Sequence, residues 1–265
     1  MTGMIIRSHN MGRYRWCAEQ SRLAVAEGVH TEFQSGAMSR GIALHDWLDR
    51  RPRSKDELEL EQALTGYAEE RGWFDSSDVS KKEKSRYFLR DFNEHKVKAH
   101  PDNFRVFWSK GRKVAQIEEY KTTRNKSSLD NRYIQYQYEW QLRSYIYTMR
   151  PILEGLGYIF ADQHPITYFQ SDRGFYLGTH NVPAISDADF EIELAYVLEV
   201  WGGRIAPKLP APFKCKTCPF AFKSRCKLRA AWLAGELKVP DFEARLWREP
   251  LPKGSMIEWE DEEFE

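Results

Sequence analysis

The sequence predicts an α/β fold in which helices and short strands alternate along one chain. Three observations point there. Apolar side chains recur at helical spacing through much of residues 13–70. Near residue 104 the period shortens to the alternation of strands, in Phe-Arg-Val-Phe-Trp and again in Lys-Val-Ala-Gln-Ile-Glu-Glu-Tyr. A long helical stretch then separates this pair from three shorter strand candidates and a further helix.

The elements follow in order. Residues 13–26 read as a first helix and 33–48 as a second, with Ala37, Ala43, Leu44 and Leu48 on its apolar face. Arg51-Pro52-Arg53-Ser54 breaks the pattern, and residues 57–70 form a third helix stopped near Gly72. Residues 73–84 are polar and read as a loop. Residues 104–108 and 113–120 pair as a hairpin across Ser109-Lys110-Gly111-Arg112. The long helix covers 131–149 and is expected to end before Pro151. Short strands begin at Gly157, Ile166 and Gly174, a helix covers 187–201, and a short one covers 227–233.

With 265 residues and 42% hydrophobic composition, the chain is long enough to bury a sizeable core, which excludes a wholly disordered chain or a fibrous rod. No apolar run approaches ~18 residues, so no membrane-spanning helix is expected. The polar-broken N-terminus is no signal peptide, and a cytoplasmic location is expected. The formal charge is +1, but it is unevenly placed. Residues 81–132 hold 15 Lys/Arg against 7 Asp/Glu, a net of +8. Residues 203–229 hold 8 Lys/Arg and no acid, whereas the last 8 residues include 6 acids. Two basic segments in a near-neutral chain suggest a surface for a polyanion.

The central hairpin carries the candidate chemistry. Asp102 precedes its first strand, while Glu119 and Lys121 close the second. Residues i and i+2 share a strand face, so Glu119 and Lys121 project together and Glu118 and Tyr120 point the other way. Asp102, Glu119 and Lys121 together suit a divalent cation and a water beside a phosphate. Gln141 and Tyr145 lie one turn apart on the following helix and share its face. His45, on the second helix, could add a nitrogen ligand and favour Mn²⁺. Among the other histidines, His100 sits nearest in sequence to Asp102. Cys215 and Cys218 form a Cys-x2-Cys knuckle, Cys226 follows, and Cys17 lies 198 residues before Cys215. By count alone, four thiolates suit zinc or an iron–sulfur cluster equally.

These residues, in this order, resemble the CRISPR-associated RecB-like exonucleases of the PD-(D/E)xK nuclease superfamily, over roughly residues 4–230. The resemblance rests on Tyr14 and Cys17, His45, Asp102, Glu119 and Lys121, Gln141 and Tyr145, and the triad Cys215, Cys218 and Cys226. The seven residues between Cys218 and Cys226 exceed the family's usual spacing, and Ala18-Glu19-Gln20 lacks its common proline and arginines.

What the resemblance implies is a restriction-endonuclease-like core, a mixed sheet flanked by helices, with an N/C-terminal iron–sulfur clasp. The expected division is an N-terminal helical region 1–90, a nuclease core 91–202, an iron–sulfur segment 203–235 and an acidic extension 236–265. The implied cofactors are a [4Fe–4S] cluster on Cys17, Cys215, Cys218 and Cys226, and Mn²⁺ or Mg²⁺ on His45, Asp102, Glu119 and the Tyr120 carbonyl. Lys121, Gln141 and Tyr145 are the implied catalytic residues. The implied activity is metal-dependent exonucleolytic hydrolysis of single-stranded or splayed DNA ends, commonly 5′ to 3′, with endonuclease activity in some members. Its implied setting is prespacer processing, with the CRISPR integrase as partner. A DNA-binding recombination accessory factor of weak activity, or a viral or mobile-element homologue acting in repair or recombination, is the alternative.

Overall fold

A twelve-residue strand, β7 (Arg112–Thr123), organises the molecule. The computed structural model describes residues 3–25, 44, 47–48, 50–75, 85–123, 132–170 and 173–207, with the single positions 218, 226, 230 and 234. The sequence-based helices at 33–48 (apart from 44, 47 and 48) and 227–233 (apart from 230), most of the 73–84 loop and the acidic tail lie outside the described residues.

The strand β6 (Asn103–Ser109) pairs antiparallel with β7, as expected for a hairpin. Its two-residue turn places Lys110 and Gly111 at φ 47° and 72°. That geometry matches the right-handed twist of the flanking strands, and glycine supplies the second positive φ without strain. On its other edge β7 pairs in parallel with β8 (Ile159–Phe160) and then β9 (Gln163–Gln170). The last strand, β10 (Tyr176–Pro183), runs antiparallel to β9. These five strands form one mixed sheet.

A second sheet, which the sequence reading missed, has the order β1-β5-β4. It joins β1 (Ile5–Arg7) in parallel to β5 (His95–Ala99), which pairs antiparallel with β4 (Phe88–Phe92). Two further short strands, β2 (Phe74–Asp75) and β3 (Ser85–Arg86), pair with each other where a loop was expected.

Five helices are described. The first expected helix is two: α1 (Ser8–Trp16) and α2 (Ala18–Val25). Cys17 between them is extended, at φ −160°. Its Sγ accepts from the Gln20 N–H at 3.4 Å, so the thiol takes the place of an N-cap oxygen and restarts the helix. Ser54 and Glu57 close a reciprocal capping box on α3 (Lys55–Glu69). Ser186 caps α5 (Asp187–Trp201) by accepting from the Asp189 N–H at 3.1 Å.

The crossover from β7 to β9 is α4 (Arg132–Gly155), and it continues through Pro151 rather than stopping before it. Proline removes the donor that the Tyr147 carbonyl would have used. Arg90 on β4 replaces that donor, its Nη1 lying 2.6 Å from the Tyr147 oxygen. Both sides of α4 are buried. Leu142, Ile146, Met149 and Leu153 join the core against the large sheet and α3. Trp140 and Tyr147 join a second core with α1, α5 and β1. The result is a mixed sheet flanked by helices. Among the described residues, no helix is long and apolar enough to cross a membrane.

Candidate functional site

β6 ends its pairing with β7 at Asn103, opposite Glu118, leaving the rest of that β7 edge without a neighbouring strand of β6. Asp102 fills the next place. Its Oδ2 accepts from the Tyr120 N–H at 2.8 Å. A strand residue sends its N–H and C=O from the same edge, so the Tyr120 carbonyl leaves β7 on the side of Asp102.

The face of β7 divides its two adjacent glutamates. Glu119 pairs with Lys121, two residues on. Gln141 on α4 reaches down from the crossover, and its Nε2 donates to Glu119 Oε1 at 2.9 Å. The same amide lies 2.7 Å from the Tyr145 hydroxyl, one turn further along the helix. Glu119 Oε2 is buried and has no hydrogen-bond partner. Burial first, and the neighbouring Asp102 charge second, raise the Glu119 pKa above the ordinary carboxylate value, while Lys121 pulls it back. Burial works against the charged form of Lys121, but the Glu119 and Asp102 charges win and raise its pKa. Burial, then those same two carboxylates, hold the Tyr145 hydroxyl firmly protonated.

Glu118 has the opposite environment. It is fully buried, yet both oxygens are satisfied. Arg105 forks onto it at 2.8 and 2.7 Å. Asn103 and the Tyr120 hydroxyl each donate at 2.9 Å, and the Thr167 hydroxyl at 2.8 Å. A carboxylate saturated in this way is part of the scaffold. Glu119, with one oxygen orphaned beside a second carboxylate, has the donor chemistry that a divalent cation would complete.

Asp102, Glu119, Tyr120, Lys121, Gln141 and Tyr145 thus meet at one place. His45 lies outside the described residues. Its neighbour Leu44 packs with Leu48 against Tyr120 of β7 and Phe169 of β9. Among the described residues, no three His, Cys, Asp or Glu side chains group closely enough to hold a metal by themselves. His100 lies 3.1 Å from Asp75 through its Nε2.

Cys215 also lies outside the described residues. Cys17, Cys218 and Cys226 are each half-buried. Cys218 and Cys226 pack on Leu23 and Ala24 of α2, the helix that Cys17 caps. Thiols from distant parts of the chain therefore border the same helix.

The sequence reading missed the residues that hold Glu118, and the basic residues at the start of α1. Arg105 and Asn103 were legible in principle, because they lie two residues apart and so share one face of β6. Thr167 was not, since its position depends on the β7–β9 register.

No family model matches the chain, and no curated protein matches it. Solved structures do resemble it. The crystal structure of SSO0001 is 17% identical, with a TM-score of 0.41 over 84% of this chain and 87% of that one. A candidate exonuclease from Eubacterium rectale is 13% identical, with a TM-score of 0.44 over 83% of this chain and 88% of that one.

Proposed function

We propose that this protein is a divalent-metal-dependent DNA nuclease that hydrolyses phosphodiester bonds at single-stranded or splayed ends. The observation that carries the reading is the buried, unpartnered Glu119 Oε2 beside Asp102, with Lys121 and Gln141 on the same carboxylate. Asp102, Glu119 and the Tyr120 carbonyl, joined by His45, would hold Mn²⁺ or Mg²⁺. Such an ion, when bound, acidifies a water and neutralises phosphate charge.

The chain's own residues account for the rest. Lys121 is held cationic where charge grows on the phosphate oxygens, and it orients the attacking water. Gln141 fixes one oxygen of Glu119, leaving the other for the cation. Tyr145, kept protonated, braces Gln141 on its helix face. Nothing in this constellation reads a base edge, so cleavage should show little sequence preference.

The finer reading follows the order of motifs from Tyr14 to Cys226. It is an exonuclease, 5′ to 3′, that trims prespacers for a CRISPR integrase, with a [4Fe–4S] cluster on Cys17, Cys215, Cys218 and Cys226. The all-thiol donor set and the packing of Cys218 and Cys226 on α2 fit such a cluster. The test is degradation of 5′- and 3′-labelled single strands with Mn²⁺, Mg²⁺ or EDTA, by wild type and by Glu119→Ala. Metal-dependent release of nucleotides by wild type alone supports the reading. Equal activity of the variant, or none in the wild type under any metal, refutes it.

A further inference from the structure

The start of α1 is wedged beside the candidate site. Ser8 Oγ donates to the Lys98 carbonyl of β5 at 2.9 Å and shares a 2.9 Å hydrogen bond with Ser144 Oγ of α4. At Gly12 the two helices almost touch, since a Cβ there would stand 2.6 Å from the Gln137 carbonyl oxygen. Gln137 lies one turn before Gln141, the donor to Glu119. The face of α1 that carries His9 and Arg13, one turn apart, therefore borders the nuclease site.

This border is strongly basic. Arg7 is in register with Lys98 across the β1–β5 pair. His9 lies within the fields of Arg13, Arg7, His100 and Lys121. The nearby acids are already engaged. Glu119 pairs with Lys121, and Asp75 with Lys98 and His100. Arg7 and Arg13 have no carboxylate within ion-pairing distance among the described residues. No side chain caps α1, and its first turn contains no acid, so the dipole end and its free N–H groups add to the positive field.

We propose that Arg7, His9 and Arg13 form a second phosphate subsite, which holds a phosphate of the DNA strand beside the one being hydrolysed. Guanidinium groups grip phosphate by paired N–H donors, and an uncapped helix end offers backbone donors in the same direction. Arg13 is partly buried, which lowers its pKa while leaving it cationic. A desolvated cation without a counterion is costly, and an arriving phosphate offsets that cost. Local crowding, and then the charges of Arg13, Arg7, His100 and Lys121, bring the His9 pKa down to about 4. At neutral pH its imidazole is therefore an uncharged hydrogen-bonding group within the cluster.

The subsite deepens the nuclease reading and rests on it, because Lys121 adjoins both places. The two are tested separately. Binding of a fluorescent single-stranded 12-mer is measured in EDTA, where the Glu119 chemistry is silent, across a salt series. The proteins are wild type, Arg7→Gln, Arg13→Gln, Arg13→Lys and the control Lys55→Gln on α3. Each glutamine variant should weaken binding ~10-fold. Each should also flatten the slope of log K against log salt by about 0.7, the value for one phosphate contact on a single strand. Arg13→Lys should recover part of the affinity, and Lys55→Gln should match wild type. With metal added, the glutamine variants should raise KM more than they lower kcat.

A 12-mer with a 5′-phosphate and one with a 5′-hydroxyl identify the source. Tighter binding of the former assigns the subsite to a terminal phosphate, and equal binding to an internal phosphodiester. Should Arg13→Gln fail to fold, the exposed Arg7→Gln carries the measurement. Unchanged affinity and salt slope in the folded variants overturn the subsite. The nuclease reading falls separately, if Glu119→Ala still cleaves.

Discussion

Two adjacent glutamates on β7 have opposite tasks because strand alternation sends them into opposite surroundings. We expect Glu119→Ala to fold normally and lose cleavage by more than ~100-fold. Glu118→Ala should instead fail by unfolding. It leaves the Asn103 amide and the Tyr120 and Thr167 hydroxyls unpaired in the interior, a loss of about 1–3 kcal/mol for each, and takes the partner from the half-exposed Arg105 guanidinium. Thermal melts and single-strand cleavage on both variants check this, and a stable, inactive Glu118→Ala would reverse the assignment. His164 sets a second residue-scale expectation. Its Nδ1 accepts from the Ile117 N–H at 3.1 Å, and burial pushes its pKa from 6.5 down to about 3. Between these values the unfolded chain binds a proton that the native state refuses, so stability falls as pH drops below 6.5. The loss from this group should reach about 2 kcal/mol between pH 7 and 5. Urea denaturation at both pH values measures it, and His164→Asn should flatten the dependence.

At the scale of elements, Arg90 and Pro151 form an unusual pair, a guanidinium standing in for a missing backbone N–H. Arg90→Ala should destabilise the protein by about 1–3 kcal/mol, because it leaves a buried carbonyl unpaired. Adding Pro151→Ala restores the helical N–H and should recover part of that loss. Strictly additive effects in urea titrations would mean the two residues are independent. The same pair explains one limit of reading the sequence alone. A proline signals a helix end, and the signal failed because the compensating donor lies on a strand about sixty residues earlier. The hairpin turn, α5 and most of α3 were legible because their signals are local: a glycine at a positive φ, or a serine cap. β1, β4 and β5 were not, since each is short and only their mutual pairing makes a sheet. In the candidate site, the Glu-x-Lys face and the Gln-x3-Tyr turn followed from periodicity. Asp102 as the acceptor for Tyr120 needed the point at which β6 stops pairing, which no local pattern marks.

On the scale of the whole molecule, the ends of the described chain converge. Cys218 and Cys226 reach α2, and Trp201 Nε1 donates to Ser21 Oγ at 3.1 Å. We expect Cys17→Ala to lose iron nearly as fully as Cys215→Ala, with a lower melting temperature and an intact Asp102–Glu119 site. Iron analysis and Mn²⁺ titration separate the two effects. Full iron retention would make Cys17 merely the cap of α2. The basic excesses at 81–132 and 203–229 should also make DNA affinity fall steeply between ~50 and ~300 mM salt, and a flat titration would contradict a phosphate-dominated interface.

The position of β1 has a consequence for how the protein is made. Its partner strand begins about ninety residues later, and Ser8 meets Ser144 across 136 positions of chain. During synthesis the first segment leaves the ribosome many seconds before either partner exists. It must wait as an open chain, carrying its arginines and the Cys17 thiol exposed, until α4 emerges. Nascent chains stopped short of α4 should therefore show Cys17 freely reactive toward a thiol probe, and chains extended past α5 should show it protected.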